Sequence, residues 1–319
     1  MPHTVPTPID STLADQLKGQ APLPHLGVIQ AQGEDAANFL HNQLSNDVLL
    51  LPVGQSRLAA FCSAKGRMQA SFVLIKTAPD TVLLVMPQDL LAQTLKRLSM
   101  FVLRAKVKMT DATAQWQLRG LLGDSANAVL ANAPAWQTVV AQGAHTVALY
   151  PAVLGDTRVA RALWVAPAGT ALPVGADIAS DIWSWTDIMS GVTLISQAVY
   201  EAFVPQMLNY ESVDGVNFKK GCYPGQEIVA RSQFRGTLKR RAFIVKSSVP
   251  MAAGQEVFSS LDATQPCGLI AQAAQDGAVC VAIAELQLAA TENSTLYLGA
   301  AQGPELQRLP LPYPLRDDI

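Results

Sequence analysis

The chain is an α+β protein by its sequence: two sandwiches of helices on antiparallel sheets, followed by a small all-β unit that closes as a barrel. Three observations point there. Strand-like and helix-like runs alternate from Gly27 to Met189, and the order strand, helix, strand recurs without any repeat of sequence. The stretch Gln88 to Val102 puts Leu91, Leu95, Leu98 and Val102 on one helix face. After Lys239 the character changes to short apolar runs, with turn residues between most of them.

In order, Gly27-Val28-Ile29-Gln30-Ala31 is the first expected strand, and Gly33 breaks it. Glu34 and Asp35 open a helix that turns Phe39, Leu40 and Leu44 inward. Residues 57–62 and 68–75 bracket Ser63-Ala64-Lys65-Gly66-Arg67, a hairpin with a basic tip. Thr81 to Met86 is a buried strand, the helix over 88–102 follows, and Arg104 to Met109 alternates charge and apolar residues as a half-exposed strand. Trp116 to Leu122, Ser125 to Ala131, Thr146 to Tyr150 and Arg158 to Val165 continue the pattern, and Ile178 to Met189 is helical. The barrel strands are expected at 242–245, 256–258, 268–271, 279–284 and 296–298. This gives domains over residues 1–110, 111–236 and 237–319, with the first two open to interleaving and the last boundary near Gly236.

Half of the 319 residues are hydrophobic and 15% are charged, which excludes wholesale disorder. No apolar run approaches the roughly 18 residues of a membrane span. Met1 to Pro8 lacks the basic start and hydrophobic run of a signal peptide and is expected to be a loose arm. Cys62, Cys222, Cys267 and Cys280 show no CxxC spacing, and the histidines are scattered, so no metal cage is expected. Reduced thiols in a cytoplasmic protein are the expectation. Walker A, GxGxxG, HExxH and GxSxG motifs are absent, leaving the reactions they serve without sequence support.

Chemistry concentrates in Asn217-Phe218-Lys219-Lys220-Gly221-Cys222-Tyr223-Pro224-Gly225-Gln226-Glu227-Ile228-Val229-Ala230-Arg231. Two glycines free the backbone on either side of Cys222, and two lysines precede it. If Gln226 onward is helical, Cys222 lies just ahead of a helix N-terminus and beside two cations, both of which stabilise a thiolate. A free cysteine is more often a small buried hydrophobe, but apolar neighbours are missing here. From Lys219 to Arg241 seven basic residues face one acid, Glu227, a local +6 in a chain of net charge -2. Such a stripe is either a solvated face or an anion site for a carboxylate tail or RNA phosphates.

Lys220-Gly221-Cys222-Tyr223-Pro224-Gly225-Gln226-Glu227 resembles the signature of the YgfZ family of folate-binding proteins, relatives of the glycine-cleavage T-protein. Gln43 to Val48, Phe61 to Met68, Phe203 to Gln206, Phe234 to Gly236 and Leu309 to Tyr313 resemble the family's other landmarks, so the likeness covers most of the chain. The resemblance implies two ferredoxin-like domains and a C-terminal barrel arranged around a central cleft. It implies a bound tetrahydrofolate or derivative and a functional Cys222. The implied binding set is Trp183, Lys220, Gly221, Tyr223, Gly225, Gln226, Glu227 and Arg231, with Trp185 as a fallback platform for the flat pterin. It also implies partners among iron–sulfur enzymes, including those that modify tRNA. Two positions depart from the family: Leu26 stands where a tryptophan is expected, and Met189-Ser190-Gly191 stands for Glu-Ala-Gly. Two other functions stay open. One is an aminomethyltransferase-type one-carbon transferase, for which Asp47 and Asp214 are the attractive acids. The other is a non-catalytic RNA or protein adaptor that uses the stripe over 219–241.

Overall fold

The structure, a computed structural model, describes residues 16–234, 238–276 and 279–316. The expected N-terminal arm, Arg235 of the basic stripe and the boundary at Gly236 lie outside the described residues. Two five-stranded antiparallel sheets and a closed six-stranded barrel make up the fold, as the periodicity predicts.

The chain enters with β1 (Gly19–Pro22) and then builds its first sheet from β2 (Leu26–Gln32), β3 (Ser56–Cys62), β4 (Met68–Ala78), β5 (Thr81–Pro87) and β6 (Lys108–Asp111). The order is β3-β4-β5-β2-β6. The first nine residues of β4 are all buried, so it carries Phe72, Val73, Leu74 and Ile75 as one apolar run instead of an alternation. Helix α1 (Ala36–His41) follows β2, and α2 (Gln88–Ser99) lays Leu91 and Leu98 on the sheet. The strand expected at 104–109 begins later, at Lys108. The backbone of Lys106 is taken by Asp35 at the start of α1: Lys106 N donates to Asp35 Oδ2, and Asp35 N donates to Lys106 O.

The second sheet comprises β7 (Trp116–Leu122), β8 (Thr138–Ala141), β9 (Ala144–Leu154) and β10 (Thr157–Pro167), with α3 (Asp124–Leu130) against its outer face. Its order is β1-β7-β10-β9-β8, so the N-terminal strand belongs to this sheet and pairs Gly19 with Leu122. Helix α4 (Ser180–Met189) leaves it and packs between β9 and the barrel. From there residues 190–216 return over the first sheet, where Ile195 N donates to Ser71 Oγ and Glu201 N to Met68 O. Helix α5 (Gln226–Phe234) precedes the barrel of β11 (Arg240–Ser247), β12 (Glu256–Ser259), β13 (Gly268–Asp276), β14 (Val279–Gln287), β15 (Leu296–Leu298) and β16 (Glu305–Leu309). A short α6 (Leu288–Thr291) caps β14. One core cluster joins the sheets, the returning segment and one side of the barrel, and a second fills the barrel itself. Among the described residues no helix is long and apolar enough to cross a membrane.

Candidate functional site

Cys222 sits in a loop that bridges α1, the β3–β4 hairpin and α5. It is exposed, whereas the other three cysteines are free and buried. The loop is anchored by Lys220, which is 8% exposed and threads inward. Its ammonium donates to the carbonyls of His41, the last residue of α1, and of Leu44 just past it, and lies 4.6 Å from the Tyr223 ring centre. Burial pulls the Lys220 ammonium down to about 8, against the opposing charges of Asp47 and Cys222. Lys220 therefore gives up its proton more readily than an exposed lysine does. His41 and Asp47 complete the cluster, with His41 Nδ1 3.3 Å from Asp47 Oδ1. The imidazole is held below its ordinary value, chiefly by burial and then by the Lys220 charge. Burial pushes the Tyr223 hydroxyl well up.

Gly225 fixes the loop on the hairpin. Its φ is +79°, and a Cβ there would lie 2.3 Å from the Ser63 carbonyl oxygen and 2.7 Å from Gly66 Cα. Only glycine permits both the left-handed turn and that approach. Gln226 N caps back to the Tyr223 carbonyl, and Gln206 Nε2 donates to Val229 O, which seats α5. Glu227 and Arg231 project from α5 into solvent, and Gly221 lies beside His41 Nε2.

A cavity of about 520 Å³ opens where the two sheets, α4 and the barrel meet. Leu26 and Val73 line it from the first sheet, Tyr150 and Arg161 from the second, Asp187 from α4 and Gln272 from the barrel. Arg161 is the chemical centre. Its guanidinium pairs with Asp187, donates to Thr186 Oγ1 at 3.2 Å and the Tyr150 carbonyl at 3.3 Å, and stands 4.5 Å over the Trp183 ring. Burial lowers the guanidinium from its ordinary value and Asp187 opposes that.

The expected site residues thus fall in two places. Lys220, Gly221, Cys222, Tyr223, Gly225, Gln226, Glu227 and Arg231 share the loop and α5, and none of them lines the large cavity. Trp183, expected as an open stacking platform, is 2% exposed and is not among the cavity's lining residues; its ring fills the space left by the missing side chain of Gly120 and carries Arg161. Trp185 is buried as well. Met189 is buried, and the α4 carboxylate that reaches the cavity belongs to Asp187. The basic stripe is not a continuous exposed field. Arg240 is bound by Glu285, Arg241 is buried against Glu211, and Lys220 points inward, leaving Lys219, Arg231 and Lys239 exposed. The residues that went unnoticed are His41, Arg161 and Asp187. Arg161 did leave a signal: it is a lone cation in the apolar run Val159-Ala160-Arg161-Ala162-Leu163-Trp164-Val165.

Comparison with known proteins agrees with this architecture. The GCVT N-terminal domain family matches residues 19–183. An uncharacterized protein of Haemophilus influenzae is 30% identical over 239 residues, which is 74% of this chain and 77% of that one. The tRNA-modifying protein YgfZ of Vibrio vulnificus is 30% identical over 314 residues, 93% of this chain and 92% of its own. The crystal structure of glycine cleavage system aminomethyltransferase T from Bartonella henselae superposes with a TM-score of 0.67, covering 96% of this chain and 89% of that one at 17% identity.

Proposed function

We propose, from the premise that the chain belongs to the YgfZ family and carries its GCVT N-terminal domain, that it binds a tetrahydrofolate-type ligand and supports the upkeep of iron–sulfur enzymes, those that modify tRNA among them. The observation that carries the reading is the signature loop itself: an exposed thiol at Cys222 next to the buried Lys220 ammonium, which ties the loop to the end of α1. The cavity lined by Arg161 and Asp187 has the volume of a site for a molecule of folate's size. Its lining fits as well. Leu26, Val73 and Tyr150 offer apolar surface to a flat ring, and Asp187 offers a carboxylate to the amino edge of a pterin. A bound folate supplies one-carbon chemistry. The chain's own part is to orient the ring against Tyr150, to hold the Asp187 carboxylate in place through its ion pair with Arg161, and to present a soft sulfur at Cys222 to a partner. In this reading Gly221, Tyr223, Gly225, Gln226, Glu227 and Arg231 shape and present the loop, and Trp183 supports the ligand through Arg161.

The one-carbon transferase remains a second reading because Asp47 is buried beside His41 and Lys220, the setting an amine-binding acid needs. Asp214 is exposed and engaged by Arg316. Turnover of an amine donor with tetrahydrofolate separates the two. The deciding experiment for the first reading is Cys222→Ser. The variant folds, binds tetrahydrofolate by calorimetry as the wild type does, and fails to restore iron–sulfur-dependent tRNA modification in a cell lacking the native protein. Full complementation by the serine variant overturns the thiol role, and absence of any binding heat with the wild type overturns the folate role.

A further inference from the structure

A second cavity, also of about 520 Å³, shares Trp136 as a wall with the first. It is built from β3, the turn before β8, the segment that runs into the Cys222 loop, and the C-terminal tail. Arg57, Lys219 and Arg316 line it, and Asp214 is its one carboxylate.

The polar groups of this cavity divide into committed and uncommitted ones. Asn46 Nδ2 donates to the carbonyls of Leu58 and Asp214 at 2.8 and 2.6 Å, and Asn46 Oδ1 accepts from Asp47 N at 2.8 Å. Asn217 Oδ1 accepts from Lys219 N at 2.8 Å and Lys220 N at 3.1 Å. The Asn46 amide and the Asn217 amide oxygen are therefore engaged in holding the backbone. The cations are not. Among the described residues Arg57 has no ion pair and only a 3.5 Å contact to Asn46 Oδ1, and Lys219 has no side-chain partner. Arg316 alone is engaged, at 3.4 Å from Asp214 Oδ1. A half-buried guanidinium with no counter-charge, beside an ammonium and a second guanidinium, selects a negative ligand over a neutral one.

The wall against the first cavity is fixed. Trp136 holds a φ of +69°, a conformation bulky residues rarely adopt, and is pinned at three points. Its N donates to Ala148 O at 2.7 Å, its carbonyl accepts from Ser56 Oγ at 2.7 Å, and its Nε1 donates to Val213 O at 2.8 Å. The two chambers thus meet at a rigid aromatic partition, one of them mainly apolar and the other cationic.

We propose that this second cavity is a separate binding site for a small organic anion, a carboxylate or a phosphate, held by Arg57 and Lys219 with Arg316 at the rim. Asn217 lines the site and also sets the turn that delivers Lys220 and Cys222, so an anion bound there is felt at the thiol. The site does not depend on folate binding, and its test is made without folate.

Isothermal titration of the full chain at low salt, with inorganic phosphate and with succinate, reads the site directly. One equivalent of anion binds, and added salt weakens it. Preference for phosphate or for succinate identifies which source of negative charge the site takes. Arg57→Gln and Lys219→Gln each weaken binding by about tenfold, the order expected for losing one charge-assisted hydrogen bond, while Lys239→Gln, exposed and outside the cavity, has no effect. Lys219 is exposed, so its variant tests the idea even if Arg57→Gln misfolds. The saturating anion also changes the alkylation rate of Cys222 and leaves that of the buried cysteines alone. No saturable binding of either anion, or equal binding by wild type and Lys219→Gln, overturns the proposal.

Discussion

Replacing Arg161 by methionine tests whether the floor of the large cavity is an electrostatic unit. Methionine keeps most of the arginine stem's volume and removes the guanidinium, so packing changes little. Four interactions go. Asp187 loses its ion-pair partner, the Trp183 ring loses its cation, and Thr186 Oγ1 and the Tyr150 carbonyl lose a donor. Breaking a fully buried pair from one side costs about 3–5 kcal/mol. Asp187 is 24% exposed, so water recovers part of that, while the lost cation–π contact adds about 1 kcal/mol. We expect a net loss of about 3 kcal/mol. Arg161→Met combined with Asp187→Leu should recover at least half, because no charge is then stranded. Urea unfolding followed by tryptophan fluorescence measures this, since Trp183 lies directly beneath the guanidinium. An Arg161→Met loss below about 1 kcal/mol, or additive single and double variants, would refute the coupled floor.

Gly225→Ala is expected to destabilise the protein or to lift the Cys222 loop off the hairpin, since its Cβ meets backbone atoms of Ser63 and Gly66 that cannot rotate away. A loss under about 1 kcal/mol with unchanged hydrogen exchange at residues 63–66 would contradict this. Because Lys220 binds its proton less readily in the folded chain than in the unfolded one, its contribution to stability rises with pH from about 8 to the ordinary lysine value of 10.5. Lys220→Met should remove that rise, and parallel stability curves for the two proteins across this range would count against it. Alkylating reagent at neutral pH should reach Cys222 well before Cys62, whose thiol is buried and pushed up to about 12, as peptide mass spectrometry can show.

Elements whose own residues carry their periodicity were legible. The β3–β4 hairpin, α2 and the barrel strands from β11 to β15 lie where alternation, helical spacing and turn residues put them. Elements defined by a distant partner were not. β1 is Gly-Gln-Ala-Pro, with no strand-forming residue, and it is a strand because β7 offers an edge. β16, Glu-Leu-Gln-Arg-Leu, is polar at most positions and is fixed by closing the barrel onto β11. The site divides in the same way. The Cys222 loop was visible because its residues are consecutive, whereas Arg161 and Asp187 at the cavity and His41 under the loop come from separate elements that only packing brings into place. Which way the Trp183 ring turns was not legible either, because the space that takes it inward is left by Gly120, a residue of another element.

The placement of β1 sets an order of events during synthesis. Residues 19–22 leave the ribosome before any part of the first sheet, yet their partners at 119–122 are made roughly a hundred residues later. At a few to twenty residues per second the strand waits for several seconds or more without a mate. The first sheet does not need it and can form meanwhile. The second sheet cannot finish its edge without reaching back across that sheet, so the two units are stitched together by a segment made first and used last.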